Sequence, residues 1–284
     1  MLKHILVPVS GEASGVAAAV CALHLGQKLK AHVTAGYAAE PSLVFSPAMD
    51  GEVAAWDERF YLSLKEVREG RRKSARRDFD AAVAGTRVPI ATRPLCAQAT
   101  TEWLDGVRGD GDPVGEVGPL ADLVVLPAPG NRRNNDWDLI ESVLFMARRP
   151  VLVVPPGCAD VSFARPVIAW NGSIQAANAA RALLDLLDGD SKATILQVGD
   201  LCAGGITVER LADNLGWHCF EAATLQVADE THRTGAIILE QAIGLDATVI
   251  VLGAYGHSRT RELILGGVTD FLLRQSTLPL LLVH

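Results

Sequence analysis

Short, almost wholly apolar runs recur along the chain and alternate with longer segments whose apolar residues fall at helical spacing. In the second half, the apolar runs predict strands near 166–170, 193–198, 219–225, 247–252 and 279–283. The segments around them predict helices near 174–187, 204–216, 232–244 and 260–276. Strands without in–out alternation are typical of a parallel sheet that is covered on both faces. The pattern therefore predicts an α/β fold.

The two halves of the chain repeat each other. HILVPVSG at residues 4–11 resembles PVIAWNGS at 166–173, because each is an apolar run that ends in a turn before an Ala-rich helical segment. ADLVVLPAPG at 121–130 parallels ATVIVLGAYG at 247–256. The period is too long for a solenoid, so the repeat predicts a duplicated domain.

The duplication predicts two tandem doubly wound, mainly parallel five-stranded sheets. The first domain covers 1–157 and the second covers 164–284, with the Pro- and Gly-containing stretch PPGCADVSFARP between them as a linker. The first domain also contains a long charged segment at 56–85, which predicts one amphipathic helix with a solvated charged face.

Glycines punctuate the turn that follows the predicted strand 247–252. Gly253 and Gly256 come directly after the strand, and Gly266 and Gly267 follow ten residues later. In such sheets, ligands bind beyond the carboxyl ends of the strands. Glycines there permit positive φ and close approach, and a helix N-terminus favours phosphate. A phosphate cradle and a turn with a close helix–sheet contact are both open on spacing alone.

Composition narrows the function classes. The 284 residues are 49% hydrophobic and 21% charged, with a net charge of −7, which disfavours a nucleic-acid surface. The sequence lacks an apolar run long enough for a signal peptide or a membrane span, so we expect a cytoplasmic protein without membrane partners. The five scattered cysteines predict reduced thiols, and no structural metal is expected.

The glycine turn resembles that of the universal stress protein family, whose nucleotide-binding members carry G-x2-G-x9-G-[ST] after the fourth strand. Gly253, Gly256 and Gly266 match with the same gaps. VIAWNGS is similar to the family pattern V-x-x-D-G-S at the first strand, and a final strand follows a proline as in the family. The chain is thereby identified as a tandem member, with a Rossmann-like, adenine nucleotide α-hydrolase-like fold.

The resemblance implies an adenine nucleotide as ligand: ATP, ADP or AMP, with or without Mg²⁺. It places the phosphates against a set of residues around the turn: Gly253, Gly256, Gly266, Gly267, Val268 and Thr269. His257 follows the turn, where a cationic contact with phosphate and a solvated position are both open.

The resemblance also implies a pocket for the nucleoside. Asn171 takes the position of the family's ribose-binding Asp, and Val198 lies against the adenine. Ala169, Trp170 and Leu252 complete the expected site as neighbours of the base.

Two departures from the family pattern weaken any preference among ATP, ADP and AMP. Asn171 replaces Asp, which keeps an acceptor for a hydroxyl but loses a charge-assisted bond. Gly267 replaces Ser or Thr and removes a hydroxyl near the phosphates, and whether Thr269 supplies one instead is open on the sequence.

The first domain departs further from the pattern. Ser10 replaces the Asp, Pro127 stands where Gly253 does, and Glu141 lies near the Gly266 position. A carboxylate at that position would repel phosphate, so we expect the first site to be lost. The stretch 134–136 is expected to cap a helix instead.

The expected function is a regulatory or sensory stress-response protein that binds nucleotide in its second domain. The sequence has no Walker motif and no G-x-S-x-G elbow, so we expect no enzyme, with slow ATP hydrolysis left open. The alternatives are a scaffold that binds no nucleotide, and a slow ATPase or adenylating enzyme. The resemblance implies that the two domains form an internal pseudo-dimer by pairing the edges 150–154 and 279–283, which would also protect both edges. Two chains are expected to form a homodimer.

Overall fold

A computed structural model describes residues 2–12, 14–38, 58–93, 95, 97–105, 113–129, 135–254 and 267–284. Within these stretches, no helix combines the length and apolar character needed to cross a membrane.

The first unit alternates strands and helices as the apolar runs predict. Its elements are β1 His4–Val9, α1 Gly15–Leu29, β2 His32–Tyr37, α2 Glu58–Thr86, β3 Thr100–Leu104, α3 Pro113–Glu116, a 3₁₀ turn Gly118–Leu120, β4 Leu123–Pro127, α4 Asn135–Ser142, a π-helical turn Val143–Ala147 and β5 Val151–Val154. The long charged segment forms α2, within two residues of the predicted bounds.

The second unit repeats the order with shorter connections. Its elements are β6 Pro166–Trp170, α5 Ile174–Leu184, β7 Ala193–Val198, α6 Val208–Trp217, β8 Ala222–Val227, α7 Thr234–Gly244, β9 Val249–Gly253, α8 Gly267–Gln275 and β10 Leu280–Val283. All nine predicted elements of this unit are present. The part of the predicted last helix before residue 267 lies outside the described residues.

Two predicted boundaries in the second unit are wrong for local reasons. The strand predicted at 219–225 begins at Ala222, because Cys219 adopts a left-handed φ of +63° that ends the preceding turn. The helix predicted at 204–216 begins at Val208, because the Thr207 side chain accepts a hydrogen bond from the Arg210 N–H and caps it there.

The ten strands form one sheet, with the order β3-β2-β1-β4-β5-β10-β9-β6-β7-β8. Each unit contributes five parallel strands, as predicted, and the two five-stranded sheets join into one. The joint is antiparallel: Leu281 of β10 lies opposite Leu152 of β5, flanked by the pairs Leu280–Val153 and Leu282–Val151. This is the edge pairing that the sequence predicts for 150–154 and 279–283.

Helices cover both faces of the fused sheet and create two cores. One core contains Leu152 of the first unit and Leu281 of the second, and both side chains are fully buried. The other contains Val153 and Leu282, which point to the opposite face because side chains alternate along a strand. Each core therefore runs through both units, and the duplicated halves pack as one body.

Candidate functional site

The strand order reverses between β6 and β9 in the second unit. From β6 the chain steps outward to β7 and β8, then returns to β9 and β10 on the other side of β6. Such a reversal opens a crevice at the carboxyl ends of the two central strands. Trp170 ends β6 and Gly253 ends β9, so the predicted site residues lie at this crevice.

In the turn from β6 into α5, the side chains of Asn171 and Ser173 both accept hydrogen bonds from backbone N–H groups. The Asn171 Oδ1 atom accepts a hydrogen bond from the Ser173 N–H at 3.1 Å. The Ser173 hydroxyl in turn accepts from the Ala176 N–H at 3.2 Å and caps α5. Asn171 is exposed, yet one lone pair of its oxygen already serves the turn. The predicted ribose contact must therefore use its amide group or its remaining lone pair.

The segment 202–206 folds over this turn. Gly172 has a φ of +77°, and a Cβ there would lie 2.9 Å from the backbone of Ile206. The Ile206 N–H donates to the Gly172 carbonyl at 3.0 Å, and the Trp170 indole N–H donates to the Ile206 carbonyl at 2.9 Å. Sequence reasoning missed this segment, although its Gly204-Gly205 pair signals a tight chain path.

Three of the predicted base-pocket residues belong to the core. Trp170 is 2% exposed and packs in one core, while Leu252 and Ala169 pack in the other. None of them lines the cleft described below. Their side chains are buried below the crevice. Direct contact between them and a base stays a prediction.

Gly253 is required by packing and not by its backbone conformation. It lies in β9 outside the left-handed region, contrary to the expected positive φ. A Cβ at Gly253 would lie 2.4 Å from the Ala176 nitrogen and 2.5 Å from the Gln175 carbonyl carbon, at the start of α5. The close helix–sheet contact left open by the spacing is therefore present at this glycine.

Helix α8 approaches the same edge of the sheet from the other side. Because it connects β9 to the parallel strand β10, its first turn lies at the carboxyl edge. Gly267 is exposed, and among the described residues no heavy atom lies within 4 Å of a Cβ added there, whereas Thr269 is 4% exposed. Because Thr269 is buried, its hydroxyl is not exposed at the surface in place of the Ser or Thr that Gly267 replaces. The predicted residues Gly256, His257 and Gly266 lie outside the described residues.

A cleft of about 770 Å³ opens beside the crevice, at the carboxyl ends of β6, β7 and β8. Of the predicted site residues, Asn171 and Val198 line it. Its other walls carry the amides of Gln197 and Gln226 together with the carboxylates Asp200, Asp229 and Glu230. The carboxylates make this cleft unfavourable for phosphate and suited to groups that donate hydrogen bonds.

One of these carboxylates has a structural role. The Thr234 hydroxyl and the Arg233 N–H both donate to Asp229, at the beginning of α7. These hydrogen bonds, chiefly the one from Thr234, lower the pKa of the Asp229 carboxyl. Asp229 therefore stays ionised at neutral pH and stabilises the helix N-terminus. The position of Asp229 shortly before α7 was the feature of the sequence from which this role could have been predicted.

In the first unit, the strand order reverses between β1 and β4, and side chains of the protein meet at the carboxyl ends of these strands. The Ser10 and Ser14 hydroxyls donate to the two carboxylate oxygens of Asp136 at 2.9 and 2.8 Å. Asp136 is 1% exposed and lies within α4, so its expected role as a helix cap is wrong. A Cβ at Gly11 would lie 2.5 Å from the Arg71 carbonyl of α2, which closes the turn from above.

Other residues of the first-unit prediction lie in matching positions. Pro127 ends β4 opposite Val154, as Gly253 ends β9 opposite Val283, which confirms that the two positions correspond. Glu141 is 6% exposed within α4. Asn135 is the first residue of that helix, and Asn134 lies outside the described residues.

The two units also meet through side chains on both sides of the β5–β10 joint. Arg274 of α8 is held by two hydrogen bonds to Asp270, and its guanidinium carbon lies 4.5 Å from the ring centroid of Trp137 in α4. His284 makes an edge contact with Phe145, with ring centroids 5.3 Å apart, and its Nδ1 lies 3.3 Å from the Ala254 carbonyl. The first unit thus contacts both α8 and the residue after β10.

Comparison with known proteins agrees with this architecture. The sequence model of the universal stress protein family matches residues 221–284. A universal stress protein from Archaeoglobus fulgidus DSM 4304 superposes with a TM-score of 0.62 at 14% identity, and the match covers 99% of this chain and 96% of that one. A functionally unknown protein from Pseudomonas aeruginosa PAO1 matches 99% of this chain and 92% of that one, at 12% identity and a TM-score of 0.46. No curated protein sequence matches the chain.

Proposed function

We propose that this chain, a universal stress protein by the family match of its C-terminal segment and by its fold, binds one adenine nucleotide in its second unit and acts as a regulatory stress-response protein. The observation that carries the proposal is the cleft lined by Asn171 and Val198, beside the reversal of the strand order. Four free thiols among the described residues fit a reducing, cytoplasmic setting.

The charges around the site set the direction of the bound nucleotide. The carboxylates of Asp200, Asp229 and Glu230 repel phosphate, so the base and ribose occupy the cleft and the phosphates extend away from it. The described part of α8 begins with Gly267, Val268 and Thr269, the residues against which the resemblance places the phosphates. ATP, ADP and AMP, with or without Mg²⁺, all contain the adenine and ribose that the cleft would hold, so the cleft does not distinguish among them.

The first test is nucleotide content and affinity. The freshly purified protein is denatured and its supernatant is analysed for AMP, ADP and ATP, and the stripped protein is then titrated with each by calorimetry. We expect one site per chain. Absence of binding by all three nucleotides at millimolar concentration would contradict the proposal.

A pair of glycine substitutions locates the site. Gly267→Asp places a carboxylate at the beginning of the described part of α8, where no described residue lies within 4 Å of an added Cβ. We expect it to weaken binding at least about tenfold, equivalent to about 1.4 kcal/mol. Gly216→Asp is the matched control, because Gly216 is also free of neighbours but lies in α6. Its affinity should equal that of the wild type.

A second candidate is a scaffold that binds no nucleotide. It is favoured by the Asn171 oxygen, which already accepts from Ser173, and by the carboxylates of the cleft. Calorimetry separates the two functions, since a scaffold gives no heat with any of the three nucleotides. Phosphate release well above background would instead indicate the slow ATPase.

A further inference from the structure

The two outer edges of the ten-stranded sheet are treated differently. At the first-unit edge, β3 is covered by the segment that precedes it: the Thr101 N–H donates to the Pro89 carbonyl, and the Ala91 N–H donates to the Thr101 carbonyl, both at 2.9 Å. The edge strand β3 therefore has part of its outer backbone satisfied within the chain. The opposite edge, β8, has no such cover among the described residues.

The direction of the backbone groups of β8 follows from its pairing with β7. The Gly199 N–H donates to the Val227 carbonyl at 2.8 Å, so Val227 and every second residue before it face β7. Ala222, Thr224 and Gln226 alternate with these and direct their N–H and C=O groups outward. Within the described part of the chain, no hydrogen bond to these outward backbone groups is found, and Thr224 and Gln226 are exposed.

This edge also lacks the features that normally prevent strand pairing. Natural edge strands are blunted by Lys, Pro, bulges or short length. The six residues AATLQV of β8 contain no charge and no Pro, and their pairing with β7 is regular throughout. Trp217, at the end of the helix that packs on β8, is 82% exposed. An uncharged edge beside an exposed Trp is suited to pairing with another strand.

We propose that β8 pairs antiparallel with β8 of a second copy of this chain, around a twofold axis at Thr224. A twofold axis brings identical edges together, and most soluble oligomers are symmetric. The chain already extends its sheet in this way, since β5 and β10 of its two related units join antiparallel. The inference is independent of nucleotide binding.

The register follows from the outward groups. With Thr224 opposite Thr224 of the second copy, Ala222 lies opposite Gln226, and each facing pair exchanges two backbone hydrogen bonds. The only β-branched residue of this row meets its own copy, a pair that sheets favour. No like charges face each other along the six residues, because β8 carries none.

The test is the mass of the full chain in solution, measured by sedimentation over a range of concentrations. We expect a dimer of twice the 30.2 kDa chain mass. Thr224→Lys places two ammonium groups beside the axis, so the dimer dissociation constant should rise at least about tenfold. Thr224→Val keeps the backbone N–H and the β-branched shape and should leave the constant unchanged.

A second variant removes the pairing group itself. Thr224→Pro deletes an outward N–H that makes no bond to β7, and edge strands tolerate Pro. It should also yield monomers, with circular dichroism and thermal unfolding showing a folded chain. A wild type that stays monomeric, including one whose β8 binds an extended segment of another protein instead, would overturn the proposal. So would a dimer that persists unchanged in the Lys and Pro variants.

Discussion

At the residue scale, Gly253 at the end of β9 is required because α5 packs closely against it. Gly253 has helix α5 directly above it, so we predict that Gly253→Ala lowers the free energy of unfolding. The added methyl would meet the Ala176 nitrogen at 2.4 Å, and a backbone atom cannot move aside as a flexible side chain can. Overpacking of this kind costs about 1–3 kcal/mol, measurable by urea unfolding.

The control is a glycine with open space around it. Gly216 lies in α6 and has no heavy atom within 4 Å of a built Cβ. Gly216→Ala should stabilise the protein by up to about 1 kcal/mol, because Ala has the higher helix propensity. If the Gly253 variant is as stable as the wild type, α5 does not press on β9 as the structure shows.

At the scale of elements, Asp136 joins α4 to the turn between β1 and α1. Its carboxylate accepts from the Ser10 and Ser14 hydroxyls in a fully buried position. We predict that Asp136→Ala lowers the free energy of unfolding by about 1–3 kcal/mol, because buried polar partners are left without their acceptor. Asp213→Ala, at an exposed position of α6, should have little effect.

A double-mutant cycle isolates this joint. Ser14→Ala and Asp136→Ala should be less than additive in urea unfolding, since each removes the same hydrogen bond. Strict additivity would mean that Asp136 stabilises α4 through its other contacts alone.

The elements themselves could be predicted from the sequence, and their long-range contacts could not. Apolar runs are a local property, so the sequence predicts every strand of the second unit. The contact of Asp136 with Ser10 spans 126 positions, and nothing local distinguishes it from a cap. The segment 202–206 over Gly172 was missed for the same reason.

The candidate site was predicted in part. Asn171 and Val198, which the resemblance assigns to the ribose and the adenine, line one cleft, and their contact with a nucleotide stays a prediction. Trp170 and Leu252 were expected at the base, but their side chains pack in the two cores beneath it. The pattern of apolar residues shows that a side chain is buried, but it does not show whether that side chain faces the core or a ligand pocket.

At the scale of the whole molecule, the fused sheet predicts that both units unfold together. Each core contains residues of both units across the β5–β10 joint. In urea, hydrogen exchange of peptides from β1 and β7 should therefore show coincident loss of protection. Leu281→Ala, at the fully buried joint, should cost about 2–5 kcal/mol and separate the two transitions.

The matched control lies inside one unit. Ile195 of β7 is equally buried, so Ile195→Ala should lower the stability of both peptides together. Transitions that already differ in the wild type would show that the joint does not couple the units.

The position of β10 has a consequence for biosynthesis. It follows every other described element along the chain, yet it lies between β5 and β9 at the centre of the sheet. While the protein is being made, β5 keeps a bare edge until β10 has left the ribosome, although the rest of the first unit is already complete. Unpaired strand edges are where nascent chains aggregate. A chain released before β10 is made would therefore have two separate sheets with unpaired edges at β5 and β9.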